Sequence, residues 1–328
     1  MKSHFFFWII IASLSASAQN SSRTIDSLLK ILKKGSHSEQ FERYIMLSDE
    51  YSNSDLNKAE YYSYKALNKA RLVKDDSFIA LSYNNIGNIH QYKSELDSAL
   101  FFHKKTLRLR QSIKDTIGLA DTYNNIGIVY DTKGQYPDAL KYYFKALNFY
   151  ERKGDISKQA MTTTNIGIVY KAQKEYNKAL YYYKRAYELY LKTQNEFGKT
   201  TSAGNLGSIL INFKQYQESL KYSEIARKGF KQLGYNRYEV YPISNIACAY
   251  DSLHQFEFAN KKYAEAIQLF EKYENSYQVA EISNAYANCL IKQKKFNESI
   301  LQSKKALVFA TKAEANVLKV QSYKNLSS

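Results

Sequence analysis

Asparagine recurs in this chain at a fixed phase, more regularly than any residue that could serve as nucleophile, general base or metal ligand. Asn85, Asn125, Asn165, Asn205 and Asn245 stand 40 residues apart, and Asn325 rejoins the series after breaks at Ile45 and Ala285. A carboxamide both donates and accepts hydrogen bonds, so such a column can hold the backbone of an extended chain. Bonding to water or to one another is the competing use. Each of these residues precedes an aliphatic position of the same column set and lies off its packing face. Alanine in their place is therefore expected to cost the fold little.

Other chemistry is sparse. His4, His37, His90, His103 and His254 show no metal-ligand spacing with Cys or carboxylates and read as scattered surface or groove side chains. Gly198-Lys199-Thr200 imitates the end of a phosphate-binding loop, but Thr193 stands where the first glycine belongs and no strand precedes it. Neither a nucleophile elbow nor a dinucleotide fingerprint is present. Cys248 and Cys289 are one position out of phase, so their side chains diverge. Adjacent helices sit roughly 8–10 Å apart, beyond disulfide reach, and two buried free thiols are expected. Tyr61-Tyr62, Tyr142-Tyr143 and Tyr181-Tyr182-Tyr183 offer stacking platforms or core aromatics, and recurrence at helical spacing favours the core. The residues call for no catalysis, no metal and no cofactor.

The elements that carry the Asn column are themselves repeats. Tyr83-Asn84-Asn85-Ile86-Gly87 returns as Tyr123-Asn124-Asn125-Ile126-Gly127, Thr163-Thr164-Asn165-Ile166-Gly167 and Ala203-Gly204-Asn205-Leu206-Gly207, and more weakly at 243–247 and 283–287. Small residues share that phase: Ala59, Ala99, Ala139, Ala179, Ser219, Ala259 and Ser299 form one column, and Ala66, Thr106, Ala146, Ala186, Ala226, Ala266 and Ala306 another. Each unit reads as two helices, and the small columns let them approach while aromatics fill the gaps. Lys133-Gly134-Gln135 marks a turn inside one unit and Lys153-Gly154-Asp155 the turn that closes it. With 328 residues, only 2 Pro and 12 Gly, but 31 Tyr and 17 Phe, the chain is all-α with an aromatic core.

This pattern resembles the tetratricopeptide repeat, in the 40-residue form seen in kinesin light chain and in exported bacterial signalling proteins. The resemblance covers seven units over 40–319. It implies a right-handed α-α superhelical solenoid of helix-turn-helix repeats, with residues 19–39 a capping helix and 320–328 the start of an eighth unit. Leu47 stands where later units have Gly or Ala and implies looser packing in the first. The family places the Asn position of the first helix in a concave peptide-binding groove, here beside Asn88, Ile128, Ile168, Ser208, Asn288, Gln91, Asp131, Lys171, Ile211 and Asp251, a mixed lining. Some members capture a terminal carboxylate with Lys two residues into the first helix. Leu81, Asp121, Met161, Thr201, Tyr241 and Glu281 occupy that position, so such capture is not supported.

The N-terminus reads separately. Lys2, the apolar run Phe5 to Leu14, and Ala16-Ser17-Ala18 make residues 1–18 a cleaved secretory leader. The expected home is the periplasm or envelope of a Gram-negative-type bacterium. The net charge of +16 then points away from nucleic acid, toward a solvated face or attraction to anionic envelope components. The leading functional reading is a scaffold binding a protein or peptide partner, the sensory part of a signalling protein whose membrane-linked remainder follows Ser328. The alternative is a structural envelope protein that holds anionic glycan or lipid on its basic outer face.

Overall fold

The computed structural model describes residues 16–328, so the leader expected at 1–18 falls outside the described residues except for its last three. No β-strand occurs among the described residues, and the helices divide into two compact units. Unit 1, ending at Gln173, holds α1 (Ala16–Ile31), α2 (His37–Tyr51), α3 (Leu56–Val73), α4 (Asp76–Tyr92), α5 (Leu96–Ser112), α6 (Thr116–Thr132), α7 (Tyr136–Lys153) and α8 (Ile156–Ala172). Unit 2 holds α9 (Tyr176–Leu191), α10 (Glu196–Asn212), α11 (Tyr216–Gln232), a 3-10 turn at Asn236–Tyr238, α12 (Val240–Ser252), α13 (Phe256–Lys272), α14 (Ser276–Lys292), α15 (Phe296–Lys312) and α16 (Asn316–Ser327). Within each unit the even-numbered helix packs on the odd-numbered one that follows it. In α1, Leu28 is buried but Leu29 and Ile31 are exposed.

The connectors explain why most of the helices stop where they do. A residue with φ between 52° and 75° recurs at twenty-residue spacing: Lys74, Ser94, Lys114, Gly134, Gly154, Lys174, then Lys214, Gly234, His254, Glu274, Lys294 and Glu314. This left-handed residue lets the next N–H reach back five residues, as Gln135 N does to Tyr130 O (2.9 Å) and Asp155 N to Tyr150 O (3.0 Å). The following Asp or Asn then caps the next first helix. Asp115 Oδ1 accepts from Gly118 N (2.8 Å), Asp155 Oδ1 from Lys158 N (3.0 Å) and Asn195 Oδ1 from Gly198 N (2.8 Å). The sequence period of 40 is thus two equal helical periods of 20. The cap at Asn195 also occupies the amide that a phosphate-binding reading of Gly198 would need.

Both small-residue columns are buried throughout, from Ala59 to Ser299 and from Ala66 to Ala306. The second helix adds a column of variable size, Ser63, His103, Tyr143, Tyr183, Ser223, Tyr263 and Ser303, and wherever it holds a ring its partner on the first helix is Gly or Ala. A Cβ on Gly127 would come within 2.6 Å of the Tyr143 ring, and one on Gly87 within 2.7 Å of the His103 ring. In the first unit Leu47 takes the glycine position and Ser63 the aromatic one. Both have 0% exposure, and Ser63 and Ser48 share a 2.6 Å hydrogen bond. The expected loosening there does not occur, because the bulk has moved from one helix to the other. Tyr143 and Tyr183 are core residues as expected, whereas Tyr61 and Tyr181 of the same clusters are exposed. Tyr62 and Tyr142 lie between, stacked on Tyr51 (5.5 Å) and Tyr130 (5.5 Å) of the first helices.

Two histidines depart from the scattered-surface expectation. His90 is buried, stacked on Phe102, with Nδ1 2.6 Å from Glu95 Oε2. His103 is wholly enclosed in the aromatic column, and neither ring nitrogen has a hydrogen-bond partner. Burial, with a smaller contribution from the Arg110 charge, pushes its pKa down to about 3. Unfolding restores the ordinary value near 6.5, so the unfolded chain binds the extra proton between those limits. Stability from this residue is therefore complete above pH 6.5 and is lost as pH falls toward 3, by roughly 1.4 kcal/mol per unit. His103→Phe keeps the ring and removes the titration. Denaturant unfolding from pH 7 to 4 should show a shallower acid loss in the variant, and equal slopes would refute the assignment.

Candidate functional site

In unit 1 one stripe of the first helices is formed by positions 81, 84, 85, 88 and 92 of α4 and their 40-residue equivalents on α6 and α8, with Asn85, Asn124 and Thr164 buried in it and the others at least partly accessible. It carries six Asn, two Thr and the apolar side chains of Leu81, Met161, Ile128 and Ile168. Asp121 is its single charged residue, and that carboxylate is held by Lys158 Nζ (2.7 Å) and Tyr150 OH (2.8 Å). The stripe is accordingly neutral and rich in amides. Leu81 and Met161 are exposed on it.

The Asn column lies on this stripe and is tied to the preceding repeat. Asn125 Nδ2 donates to Asn84 Oδ1 (3.0 Å) and to Asn88 Oδ1 (3.3 Å), and Asn165 Nδ2 to Asn124 Oδ1 (3.4 Å). Asn85, which is buried, donates to Asp49 Oδ1 (3.2 Å). Desolvation raises the Asp49 pKa, and the Asn85 amide partly offsets that rise. In unit 2, Asn245 Nδ2 reaches Gly204 O (3.5 Å) and Asn325 Nδ2 reaches Asn284 O (3.1 Å), while Asn205 is half-buried on α10. The expectation that alanine here would leave the fold untouched is corrected, since these amides bridge neighbouring first helices about 40 residues apart in sequence. Sequence reasoning missed this role because nothing in the Asn column marks Asn84, Asn124 and Gly204 as its acceptors. Their 41-residue offset was the available signal.

Part of the expected groove lining is not accessible. Gln91 and Asp251 are buried at the ends of α4 and α12, and Asp251 pairs with Lys292 Nζ (2.8 Å). Asp131 is half-buried, its Oδ1 has no partner, and desolvation lifts its pKa to about 7. Cys248 and Cys289 are free thiols, as expected, although Cys248 is only partly buried by surface exposure. Tyr263 OH lies 3.6 Å from Cys248 Sγ, and Gln293 Nε2 lies 3.3 Å from Cys289 Sγ. Burial raises both thiol pKa values, to about 11 and about 12, which makes them inert rather than nucleophilic. Among the described residues no three His, Cys, Asp or Glu side chains converge as a metal site. No helix among them is long and apolar enough to cross a membrane.

A family model described as tetratricopeptide repeat matches residues 78–152 and 118–192. No curated protein matches the sequence. Among solved structures, the chain is similar to a Signal Transduction ATPase with Numerous Domains from Pyrococcus horikoshii that has a tetratricopeptide repeat sensor (18% identity, TM-score 0.74). That match covers 92% of this chain and 46% of the other. The apo form of RapI is similar at 17% identity and TM-score 0.67, over 84% of this chain and 99% of that one. A Rap protein complexed with Competence and Sporulation Factor follows at 13% identity and TM-score 0.58, over 94% and 97%. At such identities the likeness is one of fold.

The inter-helix amide bonds make a stability test. Asn125→Ala and Asn165→Ala should each destabilise by about 0.5–1.5 kcal/mol, the net value of an intramolecular hydrogen bond. The gain in helix propensity on going to Ala offsets part of this. Urea unfolding at pH 7 measures it, and unchanged midpoints in both variants would contradict the bridging role.

Proposed function

We propose that this chain, which matches a tetratricopeptide repeat model over residues 78–152 and 118–192, binds an extended peptide segment of a partner along the first-helix stripe of unit 1, without catalysis. The observation that carries this reading is the neutral, amide-rich character of that stripe. Asn125 and Asn165 spend their Nδ2 donors on the preceding helix. The oxygens of both, and the second N–H of Asn165, are the groups left to offer, so they suit backbone N–H donors of the ligand and, at Asn165, a backbone carbonyl. Leu81, Met161, Ile128 and Ile168 supply apolar contact, which favours uncharged or apolar ligand side chains over acidic or basic ones. Asn85, buried against Asp49, serves the fold instead, and the half-buried Asn205 and Asn245 are read in the same way for unit 2 taken by itself.

The chain is further read as an exported protein of the cell envelope, serving as the sensory part of a signalling protein. The leader pattern at residues 1–18 supports export. The sensor role named for the repeats of the Pyrococcus horikoshii protein supports sensing by analogy of fold alone.

Two experiments test these readings. A peptide selected from a displayed random library should bind the chain, and Leu81→Glu with Met161→Glu should weaken it at least about tenfold by calorimetry. Both positions are exposed, so folding is preserved, and undiminished binding would move the site elsewhere. Intact-mass analysis of the envelope fraction should find a mature chain that begins at Gln19. A retained Met1 would remove the argument for export.

A further inference from the structure

The opposite surface of unit 1 carries a second pattern, independent of the peptide reading. On α3 the outward positions beyond the first turn are 61, 64, 65, 68 and 72, with equivalents 40 and 80 residues on in α5 and α7. Of these 15 positions seven are Lys or Arg, five are Tyr, Phe or Leu, three are Asn or Ser, and none is Asp or Glu. Tyr61 and Phe101 are 54% and 53% exposed, and Leu72 is 61% exposed. A shallow depression of about 430 Å³ on α3 is lined by Tyr61, Tyr64, Lys65 and Asn68 together with Asn57 and Glu60. Of the carboxylates at the edge of the stripe, Glu60 is occupied by Lys93 and Asp97 by Lys133, while Asp138 and Glu151 lie at the two ends of α7.

The cations of the stripe pair with rings instead of carboxylates. Lys65 Nζ lies 5.1 Å from the Tyr61 ring centroid, and Lys105 Nζ lies 4.4 Å from that of Phe101. Lys145 sits over Tyr123 and Tyr142 in the same way. The corresponding columns of unit 2 differ. They include Glu224 and Glu265, which bind Arg227 (3.0 Å) and Lys262 (2.7 Å). The acid-free pattern thus runs through all three second helices of unit 1, whereas in unit 2 it is interrupted on α9, α11 and α13 and returns only on α15, at Leu301, Lys304, Lys305, Val308 and Lys312.

We propose that this face of unit 1 docks on an anionic lipid bilayer surface. Charge complementarity makes the partner anionic. The side-chain arrangement selects a bilayer over a soluble polyanion. An ammonium over one face of Tyr61 and of Phe101 obstructs stacking against a sugar or a base, but leaves ring edges and Leu72 exposed to enter the headgroup region. Lysines and arginines beside such apolar anchors reach lipid phosphates, each strengthening partition severalfold at low ionic strength.

Co-sedimentation of the purified full chain with phosphatidylcholine vesicles, with and without about 30% phosphatidylglycerol, tests this as a charge-dependent partition. Binding should require the anionic lipid and should be lost on raising NaCl from about 0.05 to 0.5 M. The combination Lys105→Glu, Arg108→Glu and Lys145→Glu should reduce vesicle affinity at least about tenfold. Tyr61→Ser with Phe101→Ser keeps every charge and should still weaken it about threefold or more. Leu81→Glu with Met161→Glu should leave it unchanged, which separates this surface from the peptide stripe. Equal binding to neutral vesicles, or no effect of the triple variant, would overturn the proposal. So would full affinity in the Tyr61/Phe101 variant together with displacement by soluble polygalacturonate, which would reassign the face to a polyanion.

Discussion

The closest approach between paired helices is the constraint on which everything else in the fold depends. A second helix carrying Ala, Ser or Thr at both small columns packs with little space between its backbone and that of the first helix, so a ring placed on one helix requires a small residue on its partner. Gly127 accommodates the Tyr143 ring, Gly87 the His103 ring, and Leu47 is matched by Ser63. The remaining space is filled by clusters such as Ala120, Ala146 and Tyr150 in unit 1, or Ala203, Ala226 and Phe230 in unit 2. Arg110 occupies the position that Tyr150 and Phe230 hold in later repeats. It stays buried because it donates to Thr122 Oγ1 (2.9 Å) and the Gly118 carbonyl and lies 3.5 Å from Asp115. A charge is tolerated there only because it is surrounded by acceptors.

With the pair geometry fixed, side chains fall into three directions with distinct chemistry. Those facing the partner helix are small or aromatic, and they set stability. Those on the first helices of unit 1 form a neutral amide surface whose donors link adjacent repeats. Those on the outward stripe of the second helices of unit 1 are mostly cations and rings, with carboxylates only beside it, such as Glu60, Asp97, Asp138 and Glu151. The overall charge of +16 describes none of these surfaces individually, because the positive field is concentrated on one while another is nearly uncharged.

Repetition made the architecture legible in the sequence. Four Asn-Ile/Leu-Gly blocks in phase, and two columns of small residues, locate the helices and the core without reference to any homologue. The twenty-residue sub-period was not legible, because the left-handed residue is Gly at only three connectors. Elsewhere it is Lys, Ser, His or Glu, types with no special liking for that conformation. The burial of His103 was hidden for a related reason. Its position is aromatic in the next repeats, and histidine fills the slot as a ring while looking like a ligand when taken alone. The Asn column was found, but the use of its donors depends on which helix lies beside it. That is a tertiary fact with no local signature.

The reciprocal sizing of Leu47 with Ser63 and of Gly127 with Tyr143 also bears on how such a chain can be lengthened or shortened by recombination. An exchange at the connectors between repeats, such as Lys114-Asp115 or Gly154-Asp155, transfers both members of a matched pair together and preserves the spacing of caps on either side. An exchange between the two helices of one repeat can set Leu47 of one repeat against a ring such as Tyr143 of another. Crossovers of the first kind keep every pair intact, whereas those of the second kind can overpack one. The forty-residue segment bounded at these connectors is thus the unit of inheritance as well as of structure, and repeat number can drift while each internal match is kept.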